Sequence, residues 1–209
     1  MTATVRTRIA TTRTFALVSG WSGIVAGALF VMFFALANPF GERSGDWAWT
    51  GTATDAAGTL QMLTLAPVAW HLRGRMPASR SVRLSSIAVV ALTVGAAVLQ
   101  ILIFLGLVPL SDNIVGGAIA TYGIFIWILV VSLTGHRTRT LPRPLTRTGL
   151  VIGAGLPVGV LLLAAGLVTP EPVRQVLLGA GLGLGVLAYL TVPVFPLLLA
   201  KYVFTEESP

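Results

Sequence analysis

Apolar residues fill this chain in six long stretches, and charged residues stand almost entirely between them. The stretches run from Thr14 to Gly41, Trp47 to Trp70 (with Asp55 inside it), Leu84 to Ser111, Asn113 to Gly135, Thr148 to Pro170 and Gln175 to Ala200, and none is shorter than 23 residues. A bilayer core of about 30 Å is crossed by about 20 apolar residues in helix. None of the stretches alternates with the period of two that marks a barrel strand. In hydrocarbon each backbone N–H and C=O must find its partner inside the segment, which only a helix provides. The pattern therefore predicts an all-α polytopic membrane protein with six transmembrane helices in one bundle. It divides into a cytoplasmic segment over 1–14, a membrane domain over 15–202 and a polar, acidic tail over 203–209.

Composition removes the competing classes. Of 209 residues, 55% are hydrophobic and 10% charged, against about 25% charged in an ordinary soluble chain. With a mean hydropathy of +0.89, too little polar surface exists to coat a soluble domain, and the low charge also excludes a disordered chain. The absence of cysteine excludes a disulfide scaffold.

The charges then orient the bundle. With the N-terminus in the cytoplasm, that side receives Arg6, Arg8, Arg13, Arg73, Arg75, Arg80, Arg83, Arg137, Arg139, Arg143, Arg147 and Lys201, which is 12 of the 14 basic residues. Only Arg43 and Arg174 fall outside, beside Glu42, Asp46, Asp112 and Glu171. The positive-inside rule then gives an N-in/C-in topology in the cytoplasmic membrane. The sequence pI near 11.3 is thereby assigned to short loops facing anionic lipid headgroups rather than to nucleic-acid binding. Thirteen arginines against one lysine, with abundant alanine and glycine, fit the codon usage of a GC-rich bacterial genome. A cleaved leader ending at Ala35-Leu36-Ala37 is the alternative at the N-terminus. Its apolar run is longer than the roughly 7–15 residues of a secretory h-region, so an uncleaved first span is expected.

Small residues recur inside the spans at helical spacing: Gly23 and Gly27, Gly149 and Gly153, Gly179 and Gly183, with Gly155, Gly159, Gly181 and Gly185 interleaved. Residues four apart lie on one face, where glycine lets backbones approach without any hydrophobic drive. Gly153, Gly155 and Gly159 imitate a dinucleotide-binding turn, but the strand, soluble helix and downstream acid that such a turn requires are missing. Pro67, Pro157, Pro193 and Pro196 each remove a helix hydrogen bond and mark the second, fifth and sixth spans for kinking. His71 to Pro77 and His136 to Pro142 share one spacing, too small a match to define a repeat.

Few side chains remain to carry chemistry. Asp55 is the only acidic residue inside an apolar stretch, and an intramembrane ionisable group points to a site unless a local role accounts for it. Depth counting at about 1.5 Å per residue brings Thr59, Gln100, Thr121 and Tyr122 into the same outer half. Asp55, Thr59, Gln100 and Tyr122 are accordingly the candidate ligand- or ion-binding residues, converging on an outward-facing pocket. The competing role for Asp55 is the cap of the second helix, after tryptophans seated among the headgroups. His71 and His136 stand at cytoplasmic helix ends beside arginines, where the helix dipole favours them, and do not make a haem or metal site. No nucleophile, acidic metal cluster or span lysine supports catalysis or a Schiff base.

The expectation is a non-catalytic multi-span membrane subunit without a cofactor, embedded in lipid and partnered with further copies or other membrane proteins. The alternative is a small-solute or ion transporter, or a substrate-binding membrane subunit, with its pocket around Asp55. Six spans with such short loops are similar in architecture to the substrate-binding membrane subunits of vitamin importers, a likeness of fold alone.

Overall fold

The structure, a computed structural model, describes residues 3–36, 47, 49–76 and 79–205. Glu42, Arg43, Asp46, Ala37 of the leader-like motif, Pro77, Glu206 and Glu207 lie outside the described residues, as do the side chains of Arg6, Arg8 and Asp112. Every regular element is helical: α1 Ala3–Leu36, α2 Trp49–Arg75, α3 Arg80–Phe104, α4 Leu110–Thr138, α5 Arg143–Val168, α6 Val173–Thr191 and α7 Val194–Tyr202. Five segments, Ile9–Leu36, Arg80–Phe104, Val115–Thr138, Arg143–Val168 and the combined Val173–Tyr202, are long and apolar enough to cross a membrane. With its five apolar rods the chain has the architecture of an integral membrane protein.

The helices overrun the loops that the charges suggested. The arginine-bearing connections shrink because helices continue through their basic ends: α2 runs to Arg75, α4 to Thr138, and α5 starts at Arg143. Charged residues are acceptable in helix once past the hydrocarbon, and basic ones suit a C-terminal turn. Gly106 turns the chain between α3 and α4 at φ +72, a left-handed conformation cheap for glycine.

The prolines act unequally. The α-helix continues through Pro67 and Pro157, whereas α6 stops two residues before α7 begins. Pro193 has no N–H, and at the break the Val192 N–H is shared between the Ala188 and Tyr189 carbonyls at 3.2 and 3.3 Å. The last rod is therefore broken part-way along its length.

Sequential helices pack side by side, and α6 and α7 close the ring against α1. Contact pairs fix the directions. Between α1 and α2, Phe33 lies at Gly51 and Gly23 at Gln61; between α3 and α4, Leu99 lies at Gly116 and Leu92 at Gly123. Ascending numbers on one helix meet descending numbers on the other, so these pairs are antiparallel. The same holds for Gly153 on Leu129, for Gly159 on Gly181 with Gly166 on Leu178, and for Gly20 on Leu197 with Gly27 on Leu190. Alternation right around the ring requires an even number of rods, and α6 with α7 makes the sixth.

One consequence is a sharp charge asymmetry. The start of α1, the α2–α3 and α4–α5 connections and the end of α7 share one end of the bundle. They bring together Arg13, Arg73, Arg75, Arg80, Arg83, Arg137, Arg139, Arg143, Arg147 and Lys201. Arg174 and Glu171 mark the opposite end.

The half nearer the basic end is filled. Trp127, Phe125 and Phe195 are fully buried there with Leu65, Leu72 and Leu145. The Trp127 and Phe195 rings meet edge to face with centroids 5.8 Å apart. The indole Nε1–H of Trp127 donates to Ser86 Oγ at 3.1 Å, satisfying the one polar atom of a buried tryptophan.

Glycine contacts set the spacing of the rods. A Cβ on Gly153 would stand 2.6 Å from the backbone nitrogen of Leu129, and one on Gly159 2.9 Å from the Gly181 carbonyl oxygen. Gly23, Gly27 and Gly149 also face neighbouring helices, whereas Gly179 and Gly183 meet nothing within 4 Å. The α6 pair at the helix seam is instead Gly181 and Gly185, which pack on α5. Spacing of four put both pairs on a face of α6, and the position of α5 decides which face is covered. Replacing Gly153 by leucine is expected to cost about 1–3 kcal/mol or more, because backbone cannot retreat as a side chain does. Gly183→Leu should stay within about 0.5 kcal/mol of the parent, and thermal unfolding in detergent compares the two.

Candidate functional site

In the half away from the basic end the bundle is hollow. A cavity of about 150 Å³ is lined by Thr54, Asp55, Gly58, Thr59 and Met62 of α2, Ala96 and Gln100 of α3, Gly117 and Thr121 of α4, and Tyr189 of α6. A second lobe of about 30 Å³ shares Gly58, Met62, Thr121 and Tyr189 with it and reaches Gly23, Gln61, Val192 and Pro193. The hollow thus extends from the Asp55 level down to the broken segment between α6 and α7.

Local helix geometry explains the α2 wall. Asp55, Gly58, Thr59 and Met62 are spaced three and four apart and share one face. Helix α2 begins at Trp49, so Asp55 lies six residues inside it, about 9 Å along the axis. It is therefore not the helix cap. At the helix start the backbone N–H and side-chain hydroxyl of Thr50 both donate to the Trp47 carbonyl, at 3.0 and 2.6 Å.

Two of the lining threonine hydroxyls, both on α2, have their protons engaged. Thr59 Oγ1 donates to the Asp55 carbonyl at 2.7 Å and Thr54 Oγ1 to the Thr50 carbonyl at 2.8 Å. What remains on each oxygen is acceptor capacity. Together with the half-buried Asp55 carboxylate, these oxygens supply acceptors along the α2 wall, and no lysine, arginine or histidine belongs to the lining. An environment of that kind accepts a cation or a hydrogen-bond donor and offers an anion little.

Of the four residues singled out from the sequence, Asp55, Thr59 and Gln100 meet at this cavity. Tyr122 does not, being 39% exposed on the outside of α4. Its neighbour Thr121 lines the cavity instead, since consecutive helical residues point about 100° apart and depth counting carries no rotation. Tyr189 was missed altogether. It stands in an unbroken apolar run, and only the return of α6 against α1 brings it opposite Asp55.

Both histidines are at the basic end, remote from the cavity. His71 Nδ1 lies 2.8 Å from the Pro67 carbonyl, and His136 is exposed at the end of α4. Among the described residues no three His, Asp or Glu side chains gather as a metal site. No family model, curated protein or solved structure matches the chain.

Gly58 lines both lobes and has nothing within 4 Å of a Cβ built on it, so a side chain there would fill space rather than collide. Because the chain has no cysteine, Thr121→Cys introduces a single thiol at the cavity wall. That thiol is expected to react with a small hydrophilic thiosulfonate reagent. Adding Gly58→Leu should slow the reaction about tenfold or more without lowering the unfolding temperature, a rate ratio read directly by mass spectrometry.

Proposed function

We propose that the protein is a non-catalytic, six-span membrane protein of the cytoplasmic membrane that binds a small cationic solute at Asp55, as a transporter or the binding subunit of one. The observation that carries this reading is the acceptor-rich cavity that four helices build around a single carboxylate. A carboxylate at this depth attracts positive charge in a medium that screens little, and an ammonium group or metal cation seated there also meets the threonine oxygens. About 150 Å³ is room for a molecule of roughly benzene's size. The interrupted α6–α7 rod bordering the second lobe is a feature that solute-binding sites near the middle of transporters share.

Support for α2 as the sixth span comes from its neighbour. It has 27 residues, about 40 Å of helix, and it lies antiparallel along α1 from Phe33–Gly51 to Gly23–Gln61. Its lower hydropathy follows in part from the buried Thr50, Thr54, Thr59 and Thr64 and from Asp55 and Gln61, which line the two lobes. The arginine-rich end belongs in the cytoplasm by the positive-inside rule, which opens the cavity to the outside. In intact spheroplasts the Thr121→Cys protein should then take an impermeant label from the outer side only.

Purified protein is expected to bind methylammonium, by isothermal titration, and to ignore acetate. Asp55→Asn should weaken methylammonium binding about 10- to 100-fold, the worth of a hydrogen bond to a charged partner. Failure of the parent protein to bind methylammonium, sodium or potassium would remove the reading.

A second reading, as a packing subunit, is favoured by the uncovered glycine pair Gly179 and Gly183 on α6. Their spacing suits close approach of another helix, either a second copy or a different membrane protein. Gly179→Leu with Gly183→Leu should then reduce the native mass in detergent, and an unchanged mass argues for the solute-binding reading alone.

A further inference from the structure

At the basic end, between the last turn of α4 and the first turn of α5, lies a crevice of about 720 Å³, lined among others by His136, Arg137, Arg139, Arg143, Thr146 and Arg147. We infer that this crevice is a binding site for the phosphate headgroup of an anionic membrane lipid, one carrying two phosphates in preference to one. The inference does not depend on the reading of the Asp55 cavity.

Four exposed arginines line the crevice, and none of its lining residues is acidic. The acidic side chains that the structure describes are Asp55 and Glu171, both toward the opposite end. Other arginines at this end are engaged: Arg73 stacks on Trp70 at 3.8 Å from the ring centroid, and Arg75 binds the Val203 carbonyl and lies over the Phe204 ring. Among the described residues the crevice arginines have no such partner. Like charges held together in a concavity repel one another, and an anion seated between them relieves that repulsion.

The backbone adds to the same preference. Arg139 ends α4 in the left-handed conformation at φ 55 and ψ 27, a position that glycine fills without strain. The arginine there supplies a side chain that the turn itself does not need. Helix α5 starts at the crevice with no side-chain cap and no acidic residue in its first turn, so its dipole and its uncapped N–H groups also favour negative charge. Arginine presents paired donors in the fork geometry that phosphate oxygens accept.

The place of the crevice selects a lipid. It stands where the apolar segments Val115–Thr138 and Arg143–Val168 end, at headgroup depth for a bilayer crossed by α4 and α5. Away from it the flanks turn apolar toward the outside, with Leu133 37% and Val151 75% exposed, a surface along which acyl chains lie. Basic pockets between membrane helices on the cytoplasmic side hold headgroups by this combination.

Native mass spectrometry of the full-length protein, with cardiolipin, phosphatidylglycerol or phosphatidylcholine added to the detergent, tests the assignment. Cardiolipin should be retained most strongly, and Arg139→Gln with Arg143→Gln should weaken its retention about tenfold or more. Arg73→Gln with Arg80→Gln removes equal charge from the same end and should leave retention nearly unchanged. Arg147→Gln, in the interior of α5 rather than at a helix end, serves if the first double variant fails to fold. Equal losses in crevice and control variants would reduce the site to diffuse attraction and overturn it, as would equal retention of cardiolipin and phosphatidylcholine. Displacement of the lipid by millimolar pyrophosphate would assign the crevice to a soluble polyphosphate instead, and overturn the lipid.

Discussion

At Gly153, helix α5 lies so near α4 that a methyl group would sit 2.6 Å from the amide nitrogen of Leu129, and at Gly159 it meets the Gly181 carbonyl at 2.9 Å. In lipid, apolar side chains gain nothing by leaving a solvent as apolar as themselves, so helices hold together through close packing and the contacts that closeness allows. Glycine at these seams makes that closeness available. The same device recurs where α1 meets α2 and α7, with Gly23 facing both Gln61 and Pro193 and Gly20 facing Leu197. The ring closes because its first and last rods can approach as tightly as its sequential ones.

Absence of a side chain has the opposite result where no neighbour advances to fill the space. Gly58 lines the hollow half with nothing within 4 Å of a Cβ built on it, while the other half is occupied by Trp127, Phe125 and Phe195. One half is therefore packed and the other holds a cavity whose walls come from four helices. The break before α7 lies at their junction, with Val192 and Pro193 bordering the lower lobe. Displacement at that break would change the volume beneath Asp55 while the packed base stayed intact.

Charge is distributed with comparable economy. The basic residues collect at one end because every second connection returns there, an outcome of antiparallel alternation around an even ring. The acidic side chain that matters to the cavity is then remote from the arginines and keeps its own local field. The arginines, lacking acidic neighbours among the described residues, are available to the anionic surface of the bilayer. The cavity that Asp55 lines and the arginine-lined crevice thus occupy opposite ends of one small bundle.

The helical class, the long apolar segments and the gathering of arginines between them were legible from the alternation of apolar stretches with arginines, since hydrocarbon imposes length and internal hydrogen bonding on every crossing segment. Asp55 and Thr59 were legible too, because a lone acid in an apolar run draws attention and helical spacing names its companions. Rotation was not. Depth counting identified the level of Tyr122 but not that Thr121 faces inward, and spacing identified both glycine faces of α6 but not that Gly181 and Gly185 are covered while Gly179 and Gly183 are open. Nor did any local signal distinguish Pro193, where the helix breaks, from Pro67 and Pro157, where it continues. Composition and periodicity act along a single helix, and they determined which segments are helical and apolar and where the charges stand between them. The position of one helix about another depends on contacts between residues far apart in the chain, so only the tertiary structure decided where the bundle is closed and where it is hollow.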